Sequence, residues 1–115
     1  MTDMRKLEYR HPRKTSIFNI EFLVDGVTIH GVCKDVSEDG VRAGLDRHTA
    51  VGTLGLLKLR HPMRVLTINA RLSYLDKTEV GFAFLFEESE EREAATEFVA
   101  MLSTRPGPPL AFRRA

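Results

Sequence analysis

From Phe18 onward the chain alternates apolar and polar residues in short runs bounded by turn signals, and such period-two patterning specifies half-buried strands. Phe18, Ile20, Phe22 and Val24 share one side of the first run, with Asn19 and Glu21 on the other. Asp25-Gly26 then reads as a tight hairpin turn, where glycine takes a positive φ at little cost. Residues 27–36 return antiparallel, with Gly31 expected to mark a bulge. A turn at residues 37–40 leads to a short third strand over 41–45. Two more strands, 54–60 and 65–74, meet around His61-Pro62. In the second of these, Leu66, Ile68, Ala70, Leu72 and Tyr74 alternate with Thr67, Asn69, Arg71 and Ser73. The sixth run, "VGFAFLF", places Val80, Phe82, Phe84 and Phe86 on one face.

The period then changes. Residues 89–103 carry apolar side chains at helical spacing, with Ala94 or Ala95, Phe98 and Leu102 on one stripe. Ser89 is the expected N-cap, and Glu90, Glu91 and Glu93 suit the positive end of the helix. Six short strands followed by one amphipathic helix imply an all-β domain, a small antiparallel barrel or sandwich, with the helix plugging one side. Residues 1–15 read as a basic N-terminal arm, 16–103 as the domain, and 104–115 as a loose Pro/Arg tail.

Bulk properties exclude more than they suggest. A length of 115 residues suits one domain, and 43% hydrophobic with 29% charged residues is ordinary for a globular protein. Net charge is +1, which announces neither a nucleic acid nor a membrane surface. No aromatic residues interleave with basic ones on a strand face, so DNA or RNA binding is not expected. No apolar run reaches membrane-spanning length and the opening lacks the apolar core of a secretion signal, so a cytoplasmic protein without membrane insertion is expected. One cysteine, Cys33, permits no internal disulfide. The charge is nonetheless segregated: Arg5, Lys6, Arg10, Arg13 and Lys14 crowd the arm, while six glutamates fall between positions 87 and 97.

Catalytic chemistry is hard to assemble from these residues. His11, His30, His48 and His61 are scattered without metal-ligand spacing. Cys33 falls inside a strand, where a packed thiol is the usual case. No glycine-rich loop opens a helix, and the one helix begins with acids that would repel phosphate. A non-enzymatic protein without cofactor is expected.

One stretch stands apart: Asp35-x-Ser37-x-x-Gly40, between the second and third strands. Asp and Ser commonly bond backbone in turns, and Gly takes a position needing positive φ, so a purely structural turn accounts for it. It has two companions, the basic arm "YRHPRK" upstream and the strand "EVGFAFLF" leading to the helix. Over Tyr9 to Leu102 the constellation resembles the PilZ domain family, bacterial receptors for the second messenger cyclic di-GMP. The family is marked by Arg-x-x-x-Arg in the arm and Asp/Asn-x-Ser-x-x-Gly at the second-to-third strand turn. The second motif is complete here. In the arm, Arg13 holds the second arginine position and Tyr9 the first, with Arg10 beside it; counting from Arg10 instead places Lys14 second.

The resemblance implies a six-stranded antiparallel PilZ-like β-barrel with a C-terminal helix. It also implies a signalling module that binds cyclic di-GMP through Arg10, Arg13, Lys14, Asp35, Ser37 and Gly40, changes shape, and acts on an unidentified partner protein. The chemistry is consistent. Arginine's planar fork suits guanine O6 and N7 or a phosphate, an Asp carboxylate suits the N1–H and N2–H donors of guanine, and Gly lets backbone come close. The alternative is a degenerate PilZ domain that does not bind the nucleotide and serves as an adaptor between proteins, for example in motility or pilus assembly.

Overall fold

The computed structural model describes residues 14–103, with side chains from Ser16 to Leu102. The elements are β1 (Lys14–Val24), β2 (Val27–Val36), β3 (Gly40–Leu45), β4 (Leu54–His61), β5 (Arg64–Asp76), β6 (Glu79–Phe84) and α1 (Ser89–Ser103). The strands form a closed barrel in the order β1-β2-β3-β6-β5-β4, with β4 pairing back onto β1 and every neighbouring pair antiparallel. The expected six strands and closing helix are therefore present. Lys14 and Thr15, assigned from sequence to the arm, are the first residues of β1.

Alternation explains the interior. Phe18, Ile20 and Phe22 of β1 meet Leu57 and Leu59 of β4, Leu66, Ile68, Ala70 and Leu72 of β5, and Val80, Phe82 and Phe84 of β6, all buried in one cluster. Closure leaves no strand edge unpaired in the sheet, so the polar backbone is satisfied while one face of every strand is dry. Asp25 and Gly26 both have positive φ, 49° and 81°, which is the mirror-image two-residue turn expected between β1 and β2. The crossing from β3 to β4 needs a longer link. Residues 46–53 supply it, pinned to β5 where Gly52 N–H donates to the Leu72 carbonyl (2.7 Å) and Leu72 N–H to the Thr53 carbonyl (2.9 Å).

Several local expectations change. Gly31 is not a bulge: its register is unbroken, opposite Ile20 on one side and Leu45 on the other. It is glycine because a Cβ there would collide with the Gly44 carbonyl across the β2–β3 pair. The extra residues lie elsewhere, between Thr15 and Phe18 on β1, between Cys33 and Asp35 on β2, and between Leu72 and Tyr74 on β5. Strand β6 stops at Phe84 rather than Phe86, although Leu85 N–H still reaches the Asn69 carbonyl at 2.8 Å.

Helix α1 covers one opening of the barrel. Ala95, Phe98 and Val99 are its buried residues and Leu102 packs partly covered against the core, so the expected stripe is present and Val99 widens it. Phe98 meets Phe18 edge-on with centroids 5.8 Å apart, and His61 at 6.3 Å. The N-cap is also different: the Glu91 carboxylate accepts from the N–H groups of Glu87 (2.6 Å) and Glu88 (3.3 Å), while Ser89 lies inside the first turn. This is the reach-back half of a capping box. Among the described residues, no helix is long and apolar enough to cross a membrane.

Phe98 is fully buried and joins helix to barrel. Phe98→Ala should lower unfolding free energy by about 3–5 kcal/mol, measured by urea titration. A loss below 1 kcal/mol would mean that the helix is not docked in solution.

Candidate ligand-binding site

The turn between β2 and β3 is built around three backbone needs. Ser37 N–H donates to the Gly40 carbonyl at 2.8 Å, closing the turn, and Asp39 N–H donates to Ser37 Oγ at 3.2 Å. Ser37 is 1% exposed, so its hydroxyl serves a dry turn and not open solvent. The Asp39 carbonyl accepts from Phe84 N–H at 2.9 Å, which ties the turn to β6. Gly40 pairs with Ala83, and a Cβ there would overlap the Phe82 carbonyl. Its φ is not positive, so the expectation of a left-handed glycine is corrected: close approach of two strands is what excludes a side chain.

Asp35 lies one residue pair below this turn, opposite Arg42 in the β2–β3 register. It is 4% exposed. The Arg42 guanidinium donates from Nε to Asp35 Oδ2 at 2.7 Å and from Nη2 to the same oxygen. Its Nη1 donates to Glu79 Oε2 on β6 at 3.2 Å, and Lys34 Nζ lies 3.6 Å from Glu79 Oε1. Four charged residues from three adjacent strands thus form one chain of alternating sign: Lys34, Glu79, Arg42, Asp35. The hydrogen bond to Asp35 raises the Arg42 pKa above its ordinary value, against the opposing effect of burial, with further support from the charges of Asp35 and Glu79. The raised pKa keeps the guanidinium charged, so this contribution to stability is fully present through the neutral range and is lost only in strong alkali.

The sequence-predicted residues divide in two. Asp35, Ser37 and Gly40 are brought together at the turn. Lys14 pairs with Val36 and Thr15 with Asp35, so the chain enters β1 alongside that turn. Arg10 and Arg13 lie outside the described residues, as does Tyr9; Arg13 is joined to Lys14 by a single peptide bond. Arg42, Glu79 and Lys34 were missed from sequence. A signal for Arg42 existed: a four-residue turn over 37–40 pairs Val36 with Val41 and hence Asp35 with Arg42. Glu79 has no such signal, because β3 meets β6 only through barrel closure.

No family model matches the chain, and no curated protein does. Among solved structures, the PilZ domain of CeSA from a cellulose-synthesizing bacterium superposes with a TM-score of 0.68 at 14% identity, covering 80% of this chain and 98% of that one. An uncharacterized Legionella protein, Lpg0364, gives 0.60 at 16% identity, covering 81% of this chain and 95% of that one. The chain therefore has the PilZ-domain fold. At this level of identity the likeness concerns the fold alone.

The ion pair at the site is open to direct measurement. Arg42→Ala should destabilise the barrel by about 1–2 kcal/mol, the cost of a charge-assisted bond to a buried carboxylate reduced because the arginine side chain is 44% exposed. In an Asp35→Asn background the same change should cost clearly less, and a chemical-denaturation double-mutant cycle reads the difference. Strict additivity would show that the two residues are not coupled.

Proposed function

We propose that this barrel is a non-enzymatic receptor for cyclic di-GMP, with the nucleotide held between the basic arm and the Asp35–Gly40 turn. One observation carries the reading: the register of β1 against β2 places Lys14 opposite Val36 and Thr15 opposite Asp35. The end of the arm therefore adjoins the turn whose Asp-x-Ser-x-x-Gly pattern resembles the family's ligand motif. The PilZ fold of the neighbour from a cellulose-synthesizing bacterium agrees with such a role.

Electrostatics assigns the work within this site. On the barrel surface Lys34 and Arg42 balance Asp35 and Glu79, so the sheet brings no net charge to the two phosphates. The compensating charge comes from Arg10, Arg13 and Lys14. Asp35 as a carboxylate accepts from guanine N1–H and N2–H, and Gly40 lets the turn beside it sit close against β6. Ordering the arm over the ligand costs a few kcal/mol, and the reshaped surface is what a partner protein reads. Because arm and phosphate pair by charge, affinity should fall as salt rises.

A second reading has its own observation. Asp35 is already satisfied by Arg42, and Tyr9 stands where the family has its first arginine, so the domain would be a degenerate adaptor between proteins.

Calorimetric titration with cyclic di-GMP decides between them. Arg13→Ala should weaken binding by about tenfold or more without loss of fold, and Ser37→Ala should weaken it with a modest drop in melting temperature. Normal affinity in a folded Arg13→Ala protein would remove the arm from the site.

Tyr9→Arg restores the family's arm pattern and should tighten binding by about 1–3 kcal/mol. Absence of binding at high micromolar nucleotide in both wild type and Tyr9→Arg would establish the adaptor reading.

A further inference from the structure

We propose that the C-terminal segment 104–115 docks in a groove beside the entry to α1, with Leu110 and Phe112 against exposed leucines and its last arginines against the glutamates of that entry. The inference does not depend on the receptor reading and concerns a different surface.

The groove has a volume of about 360 Å³ and lies between Leu54 and Leu56 of β4, Asn69 of β5, and Leu85 and Glu87 after β6. The sheet register accounts for it. Leu56 is opposite Asn69 and Gly55 opposite Ala70, so the residues beside the leucines bring nothing larger than a methyl group. Leu85 has left β6 but still donates its N–H to the Asn69 carbonyl at 2.8 Å, which holds a third leucine against β5. Leu54 is 61% exposed. Three leucines at one groove make an apolar surface whose covering is favourable, and the Asn69 amide offers a donor and an acceptor to an extended backbone.

Length, residue order and charge select the occupant. Helix α1 has fifteen residues, so its end at Ser103 lies about 22 Å from its start beside the groove. Its later part is held at the β4–β5 turn, where Arg64 donates to Glu97 at 3.1 Å. Residues 104–110 number seven, three of them proline, and a proline-rich stretch at about 3.1 Å per residue spans about 22 Å as well. Turned back along the helix, the segment would bring Leu110 level with the groove. Leu110 and Phe112 are two apart, the spacing that sets both on one side of an extended chain.

Arg113 and Arg114 follow directly, and the whole segment carries no acid. The groove carries the opposite sign: Glu87 lines it, and Glu88, Glu90 and Glu91 come next in the chain. The one arginine between positions 87 and 97, Arg92, lies over the Phe86 ring at 4.5 Å. The same segment from a second copy would have to compete with a tethered one, whose effective concentration is on the order of millimolar.

The test places a nitroxide on Ala115→Cys in the full chain and reads amide intensities by NMR. Cys33 is fully buried, so the label goes to position 115. Residues 54–56, 69 and 85–88 should lose most of their intensity, and Leu110→Ser or Phe112→Ser should restore it. Leu54→Asp, at an exposed position, should restore it from the groove side. Added salt should weaken the effect, because the arginine–glutamate pairing is screened. Full intensity at these residues in the labelled chain without further substitution overturns the inference. Loss of intensity that Leu110→Ser and Phe112→Ser leave unchanged also overturns it. A mixture of nitroxide-bearing chains with isotope-labelled chains lacking the nitroxide gives the last check. Intensity lost from the latter would assign the groove to the tail of a second copy and overturn docking within one chain.

Discussion

The pairing of β3 with β6 is the seam on which the rest of the molecule depends. The other neighbours in the barrel are either joined by a short turn or, in β1 and β4, brought together once the sheet curls. Strands β3 and β6 are separated in sequence by the whole β4–β5 hairpin, and their pairing, together with that of β1 and β4, closes the cylinder. That pairing demands close backbone contact at Gly40, where the Phe82 carbonyl occupies the space of a side chain. It also joins the 37–40 turn to β6 through the Asp39 carbonyl and Phe84 N–H. Such non-local closure carries a loop entropy cost that is recovered only when the interior cluster forms, so seam and core are mutually dependent.

The same seam organises the charges. A carboxylate as buried as Asp35 is costly without a partner. The β2–β3 register supplies Arg42 directly opposite, and the β3–β6 pairing brings Glu79 to the other side of the guanidinium. The result is a fixed, charge-balanced strip across three strands, next to the place where the chain enters β1. A framework of this kind holds hydrogen-bonding groups in place and leaves attraction of an anion to residues outside it. In the proposed receptor role, the division of labour between this strip and the basic arm follows from the charge balance of the strip.

Much of this was legible in the sequence, because period-two alternation is a local property. The apolar residues of β1, β5 and β6 declare their inward face without reference to any partner strand, and Asp25-Gly26 declares its turn through backbone sterics alone. The Asp35–Gly40 motif was legible as a type of turn, and the basic arm as a run of charge. The reasons were less legible. Gly31 and Gly40 both looked like backbone specials, a bulge and a left-handed turn residue; both are instead places where a neighbouring strand comes too close for a Cβ. That distinction depends on what lies across the sheet.

What the sequence by itself determined, then, is the list of strands, the inward face of each, the terminal helix and the polar turn, since each follows from spacing within a dozen residues. What only the tertiary structure decided is which strands meet. The β3–β6 seam, the Glu79–Arg42–Asp35 chain and the docking of Phe98 against Phe18 and His61 all join residues distant in the chain. Period-two patterning says which way a side chain faces but carries no information about which neighbour it faces. Partner choice is set by closure of the barrel, where register, bulges and the length of the 46–53 link must be satisfied at once.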